Sequence, residues 1–340
     1  MSQMNWDREV DVLVVGTGNG GLTAAVCNWE MGTKDVLIIE KQDKVGGTSA
    51  TSGGGIWIPN SHYAKEAGAE DNPQDARAYL MNTLFGEDVP EEMIDIYLEK
   101  SPEMLKFLHD RTDVRYESLA EYPDYYTNME GARAGHRSLE PAPIMASELG
   151  ENWKNMTWTH FMMRMFNRIH FTQVEAHLLM VQLPGWKKLL ARLMWDYIRD
   201  IPWRLKTPIS RRLACGSAGV ARLYLSVLKR DIPLEFNTQM VELIAEGDTV
   251  LGAVIECNGQ RQRVRAAKGV ILASGGFEKN QTLREQYLPA PTNTTWSAGN
   301  PGNEGDALLA GLELGAKTRL MNDAWWTTTL CVPDEPAPRL

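Results

Sequence analysis

Three glycines follow the short apolar run 10–15 (VDVLVV), at Gly16, Gly18 and Gly21, with Asn19 and Gly20 filling the gap. In the spacing G-x-G-x-x-G each glycine has a task. The first permits a tight strand-to-helix turn, the second lets backbone approach a pyrophosphate, and the third lets the helix pack closely on the sheet. A pyrophosphate placed there would rest on a helix N-terminus, where free N–H groups and the helix dipole favour negative charge. Glu40 lies 19 residues after Gly21, at the end of a second apolar run. An acidic side chain at that distance takes ribose hydroxyls.

The chain continues through Lys41 to a second glycine-rich loop: Gly46, Gly47, Thr48, Ser49, then Ser52, Gly53, Gly54 and Gly55. A simple NAD site has no use for such a loop so soon after the ribose acid. FAD does, because its ribityl chain and flavin run on past the pyrophosphate. Backbone N–H groups and the hydroxyls of Thr48, Ser49 and Ser52 suit those parts. The predicted cofactor is therefore FAD.

These residues need a scaffold, and the flanking pattern supplies one. Runs 10–15 and 35–40 read as strands buried on both faces, with a helix over 22–31 between them. That is a βαβ unit, and the predicted fold class is α/β with a Rossmann-like FAD-binding domain. Segments 75–85 and 91–110 read as helices, and 122–143 shows no clear period. Residues 233–238, 250–257 and 260–265 read as an antiparallel meander, 268–274 as another buried strand and 304–315 as a helix. The expected organisation is an FAD-binding domain over 1–284, with a helical excursion at about 60–212, and the beginning of a catalytic domain over 285–340.

Composition narrows the function. With 340 residues, 43% apolar and 23% charged, the chain is ordinary globular material. A net charge of −9 argues against nucleic acid as a partner. Cys27, Cys215, Cys257 and Cys331 are scattered, with no C-x-x-C pair, so zinc and redox dithiols are not expected and a reducing cytoplasm suits them. The start, 1–9, lacks an apolar signal core, and no run of 18 apolar residues occurs. The six histidines show no ligand spacing, so no metal is expected.

The motifs VLVVGTGNGGLTAA, EKQDKVGGTSATSGGGIWIPN, PDYYTNMEGARAGHRSLEP, VILASGGFEKN and NEGDALLAGLELGAKTRLMNDAWW resemble the flavoprotein family of fumarate reductases and succinate dehydrogenases. More closely, they resemble its 3-ketosteroid Δ1-dehydrogenase branch. The glycine–serine loop marks the wider family; W-I-P-N, D-Y-Y…G-H-R-S-L-E-P and D-A-W-W narrow it. The stretch 151–212 matches weakly.

The resemblance implies several assignments. Glu40 would hold the adenosine ribose. Gly47, Thr48, Ser49 and Gly53, Gly54 and Gly55 would line the pyrophosphate and flavin. Met240 and Val241 would lie by the adenine, Ala273, Ser274 and Gly275 would close the other side, and Asp306 would reach toward the ribityl chain. No histidine stands in the glycine-rich loop, so the FAD would be non-covalent. The implied reaction removes a proton α to the steroid ketone and a hydride from the neighbouring carbon, with polarisation of the ketone oxygen. Tyr125 would correspond to the tyrosine that hydrogen-bonds the catalytic base and relays its proton. Tyr125 and Tyr126 also read simply as interface aromatics. The base itself, on an Asn-Glu-Ser-x-x-Tyr type motif, is not found before Leu340. The chain is thus expected to be the N-terminal portion of an enzyme, catalytically dead alone and poorly stable. Two alternatives stay open: another fumarate- or enoate-reductase-type flavoprotein, and a non-catalytic FAD-binding remnant. The implied substrate is a 3-ketosteroid; the electron acceptor is not legible.

Residues 151–212 hold eleven Lys and Arg against four Asp and Glu, interspersed with Trp153, Trp158, Trp186, Trp195 and Trp203. A basic amphipathic stretch with Trp describes an interfacial membrane helix. It equally describes a helical insertion packed on the FAD domain with its charges solvated. Arg133 and Arg137 are expected either to pair with Glu130 and Glu140 or to line a substrate mouth.

Overall fold

The structure is a computed structural model and describes residues 5–332, 338 and 339. The reading of 1–9 as polar therefore lies partly outside the described residues, as do 333–337. The chain divides into two compact units. The first comprises 1–51, 149–162 and 223–340, and the second 52–148 and 163–222.

The first unit is built on a six-stranded sheet. Its strands are β1 (Arg8–Val15), β2 (Val36–Ile39), β3 (Leu234–Glu235), β4 (Thr238–Glu246), β5 (Thr249–Cys257) and β6 (Gln260–Leu272), in the spatial order β3-β2-β1-β6-β5-β4. β3, β2, β1 and β6 run parallel, while β4 and β5 join antiparallel. The parallel centre explains the unbroken apolar runs: all four β2 residues are buried, as are the last four of β1. Helix α1 (Asn19–Glu30) buries Gly21, Leu22, Ala25 and Val26, one helical face.

The meander differs from the sequence reading. Leu234–Glu235 is not its first strand but pairs parallel with β2, extending the sheet on the other edge. The meander begins at Thr238 instead. The two strands expected at 260–265 and 268–274 are one strand, β6. Its first half pairs with β5, and from Val264 onward it pairs with β1. The ladder with β1 passes through a bulge between Val10 and Val12, and the apolar end of β6, expected as a buried strand, is half-buried to exposed because β6 turns from β5 to β1 part-way along.

In the second unit, helices Pro73–Asn82 and Glu91–Arg111 accompany a three-stranded antiparallel sheet of Ile56–Trp57, Ser138–Pro141 and Tyr116–Ser118. Ile58, Tyr63, Leu105 and Leu139 form one core cluster. A second cluster, Ile169, Leu189 and Leu193, seats α2 (Gln173–Met180) and α3 (Trp186–Arg199), and the short α4 (Ile201–Arg204) follows α3. A capping box between Thr172 and Glu175 starts α2. No helix of the described residues is long and apolar enough to cross a membrane.

Candidate functional site: a polar cleft at the end of the parallel strands

The first unit carries a cleft of about 400 Å³ at the C-terminal ends of β1, β2 and β6. That is where α/β sheets place their ligands. Val15 leads straight into Gly16, whose φ is +104°. A Cβ on Gly16 would stand 2.4 Å from the Ala273 carbonyl oxygen, and one on Gly21 2.0 Å from the Gly16 carbonyl oxygen. Close approach therefore decides both residues. Gly18, Asn19 and Gly20 line the cleft where α1 begins; the N-cap Gly18 has no side chain, and, among the described residues, Ser49 takes the Asn19 N–H while those of Gly20 and Gly21 stay open. The first turn thus offers free N–H donors and a positive dipole to an anion.

Glu40 ends β2 and is buried. One carboxylate oxygen accepts from the Thr17 N–H (3.2 Å) and the Thr17 hydroxyl; the other accepts from the Gln42 N–H (3.0 Å). A carboxylate has about four acceptor positions. Capacity therefore remains for hydroxyl donors in the cleft.

The loop hydroxyls hold the protein's own chain. Ser49 Oγ accepts from the Asn19 N–H (3.0 Å), and Thr48 Oγ1 accepts from the Asn300 N–H (2.9 Å) and Asn303 Nδ2 (3.0 Å). The Thr48 hydroxyl can still donate. Gly46 N–H donates to the Thr17 hydroxyl (3.2 Å), and Ser274 Oγ accepts from the Ala307 N–H (3.3 Å). Lys41 donates to Asp306 (2.7 Å) and Glu304 (3.0 Å). Burial works against its charge, but these two carboxylates raise its pKa above the ordinary lysine value. Asp306 is thus engaged with a protein cation. Asn19 Oδ1 is buried with no hydrogen-bond partner, an open acceptor beside the helix terminus. No cleft residue is a histidine or cysteine.

Most of the sequence-predicted residues meet here: Gly16, Gly18, Asn19, Gly20, Glu40, Lys41, Gly47, Thr48, Ser49, Ala273, Ser274, Gly275 and Asp306 all line the cleft. Gly21 and Gly46 support it from behind. Val241 does not line it. It is the extra residue of a bulge in β4, and Met240 and Thr238 face the cleft instead. Sequence reasoning missed Thr17, Gln42, Asn300 and Gly302. The run Asn300-Pro301-Gly302-Asn303 is a turn signature and was the available signal for two of them.

Ser52, Gly53, Gly54 and Gly55 belong to the second unit. Gly54 has φ +72°, and a Cβ there would meet Gly216 N at 2.7 Å, so close backbone packing requires it. Gly53 and Gly55 face the Gln173 amide. Tyr125 is 82% exposed, its ring 6.5 Å from that of Tyr122. Burial and the Tyr125 hydroxyl push the Tyr122 phenol up to about 12.

The neighbouring Asp124 is the buried hub of that motif. It accepts from Trp57 Nε1 (2.6 Å), Arg137 Nη1 (2.8 Å) and the Arg133 N–H (2.9 Å). Arg137 also forks onto Asp71 at 2.8 and 3.0 Å. Burial opposes the Asp71 charge, yet Arg137 holds its carboxyl below the usual range. Arg133 pairs with Asp75. The expected partners Glu130 and Glu140 are therefore not used. Glu140 is buried and accepts instead from the Gln173 N–H (2.7 Å) at the start of α2, where the helix dipole favours it.

A family model described as an FAD binding domain matches residues 11–340. The chain belongs to this family. FAD is therefore its cofactor, and the cleft's open helix terminus, paired glycines and buried acid fit a dinucleotide. Among curated proteins, this FAD-binding chain is 35% identical over 97% of its length to a 3-oxosteroid 1-dehydrogenase of Mycobacterium tuberculosis, of which it covers 58%. It is 31% identical over 93% of its length to a 4-oxocyclohexanecarboxylate 2-dehydrogenase of Sinomonas cyclohexanicum, of which it covers 51%. Among solved structures, the 3-ketosteroid Δ1-dehydrogenase of Sterolibacterium denitrificans, in complex with 1,4-androstadiene-3,17-dione, superposes with a TM-score of 0.93. The two are 39% identical, over 97% of this chain and 59% of that one. A flavocytochrome c3 fumarate reductase, at 19% identity and a TM-score of 0.62, shares the fold. The chain thus spans a little over half the length of the two curated relatives and of the Δ1-dehydrogenase structure.

Proposed function

We propose that this FAD-binding chain carries the cofactor half of a dehydrogenase that oxidises the 1,2-bond of a 3-ketosteroid. The supporting observation is the 39% identity over 97% of the chain to a Δ1-dehydrogenase whose structure holds a steroid dienone. The cyclohexanecarboxylate dehydrogenase, at 31%, supports a ring ketone as the wider substrate class. In this reading the first turn of α1 binds the pyrophosphate of FAD. Glu40 accepts from the adenosine ribose hydroxyls through the positions that Thr17 and Gln42 leave. Thr238 and Met240 border the adenine, with Val241 behind them. Ala273, Ser274 and Gly275 close the opposite side. Asp306 acts through Lys41, holding the ammonium against the cleft wall. Bound FAD supplies the two-electron oxidant, held non-covalently. Tyr125 is read as the proton-relay tyrosine.

The test is a visible absorption spectrum of the purified chain with and without added FAD, followed by anaerobic addition of a 3-ketosteroid. A bound-flavin spectrum is the result the reading expects of this chain, and bleaching by steroid is expected once the catalytic half of the dehydrogenase is supplied with it. Reoxidation of pre-reduced flavin by fumarate or an enoate, without steroid bleaching, replaces it with a reductase. A protein that takes up no FAD removes the cofactor assignments.

We also infer that α3 and α4 contact a membrane surface. Trp195, Ile198, Ile201 and Leu205 recur at spacings of three, three and four, and are 63, 49, 59 and 84% exposed. Lys187, Lys188, Arg199 and Lys206 flank them, also exposed. An apolar stripe with a basic border and a tryptophan is the pattern of a helix lying in the interface. Co-sedimentation with anionic vesicles at rising salt tests this; no binding at low salt overturns it.

A further inference from the structure

Helices α3 and α4 form part of the wall of a cavity of about 350 Å³ within the second unit. Its charged lining is Arg199, Arg204, Arg211, Arg212, Asp196 and Asp200, four guanidinium groups facing two carboxylates. Arg212 is held by Glu175 at 2.9 Å. Arg199 pairs with Asp196 (2.8 Å) and Arg211 with Asp200 (2.9 Å). Arg204 has no carboxylate partner among the described residues. Its Nη1 donates to the Ile198 carbonyl (2.8 Å), and its guanidinium lies 5.2 Å over the Tyr197 ring.

We propose that this cavity seats the phosphate of an anionic phospholipid while Trp195, Ile198, Ile201 and Leu205 enter the acyl boundary of the bilayer. The proposal rests on the membrane reading above and adds a specific ligand site to it. Three features carry it. With Arg199, Arg211 and Arg212 each set against a carboxylate, the cavity keeps one guanidinium in excess, that of Arg204, and such a planar fork matches a phosphate. The Arg199–Asp196 pair is well exposed, and such pairs are weak enough to exchange a carboxylate for a phosphate. Two of the lining arginines, Arg199 and Arg204, stand on the same two helices as Trp195, Ile198 and Ile201, so apolar side chains and guanidinium groups share those elements. A lipid phosphate lies at the depth where interfacial tryptophans settle. Charge complementarity points the same way: 151–212 carries a strong positive excess in a chain whose net charge is −9. An anionic surface attracts that segment and repels the remainder, which orients the molecule.

The test is co-sedimentation of the 340-residue chain with vesicles of phosphatidylcholine alone and of phosphatidylcholine mixed with phosphatidylglycerol. The key variant is Arg204→Lys with Arg211→Lys, which keeps every charge and replaces two of the four guanidinium forks, that of the unpaired Arg204 among them. Partition onto the mixed vesicles is expected to fall about tenfold, the loss of bidentate phosphate bonds. Lys100→Arg with Lys106→Arg, on the helix Glu91–Arg111 and outside both the cavity and the apolar stripe, is expected to change nothing. Unchanged binding by the Arg→Lys pair overturns the site while leaving the membrane reading standing. No binding of the parent chain to either vesicle at low salt overturns both. A competition on the parent chain identifies the source of the phosphate and stands even where the variant fails to fold. Dihexanoyl-phosphatidylglycerol is expected to release it from vesicles, and inorganic phosphate at matched ionic strength is not. Equal release by inorganic phosphate assigns the cavity to a free anion and overturns the lipid.

Discussion

In the cleft of the first unit, the backbone sets where polar atoms stand. Thr17, Glu40, Gln42, Ser49 and Thr48 are tied to one another and to the Asn300–Asn303 turn through N–H groups of the main chain. On α3 and α4 of the second unit, charge sits on long side chains. Several of their ion pairs are exposed, and any one is worth little. The cleft sits at the ends of β2 and the buried half of β1, so its polar atoms are placed by packed main chain. The helical surface is specified by composition and spacing, which suits a diffuse partner better than a single small molecule. Between these extremes lies the Arg137 cluster, where charges are buried and fully paired.

Five measurements break or sharpen this contrast, from the largest effect down. Arg137→Met leaves Asp71 and Asp124 buried without their cation, and unfolding by denaturant is expected to show a loss of about 3–5 kcal/mol. A loss below about 1 kcal/mol would place the cluster with the surface pairs instead.

Gly16→Ala combines a positive φ with a Cβ 2.4 Å from a carbonyl oxygen. We expect a loss of about 3 kcal/mol and no FAD uptake. Retained binding would mean that the turn can shift, and that the cleft is less rigid than its hydrogen bonds imply.

His170 supplies a pH test. Burial first, then the nearby positive charges of Arg164 and Arg212, lower its pKa to about 3. The unfolded imidazole, near 6.5, binds a proton that the folded one refuses. Stability is therefore full above pH 6.5 and falls as the pH drops toward 3. The contribution lost by pH 5 is about 2 kcal/mol. His170→Gln should flatten that slope, measured by thermal unfolding across the range.

Glu40→Gln keeps the shape of the acid and removes its charge. FAD affinity by fluorescence quenching should fall about tenfold, near 1.4 kcal/mol, and stability by about 1 kcal/mol, because the amide nitrogen faces a donor of Thr17 or Gln42. An unchanged affinity would remove the acid from the ribose site. The smallest effect is expected at Tyr125. Tyr125→Phe should alter stability by less than about 0.5 kcal/mol because the side chain is exposed. If it carries a relay role, steroid-dependent flavin reduction falls while stability holds.

How much was legible in advance follows from the range of the forces involved. The strand, glycine turn and helix at 10–31, and the acid closing β2, were readable because each depends on neighbours in sequence. So were the apolar runs of the parallel strands, since burial on both faces leaves no room for polar residues. The Glu40 carboxylate's bonds to Thr17 needed the fold, because two parallel strands had to align first. The edge strand Leu234–Glu235 is too short to show a period, and β6 changes partners half-way along. Arg133 and Arg137 looked to the nearest acids in sequence, yet they are satisfied by Asp71, Asp75 and Asp124. Ion pairs act through space and carry no periodicity.

From its sequence alone, this protein is an α/β FAD-binding chain with a basic, tryptophan-bearing helical segment. Local spacing and composition suffice for that, because turn chemistry, strand burial and charge balance are properties of contiguous residues. Only the tertiary structure decided which hydroxyls hold the protein's own loops, that Lys41 closes on Asp306, that Val241 turns from the cleft, and that four arginines of the second unit share one cavity. Those outcomes depend on contacts between residues far apart in the chain, and packing alone chooses them.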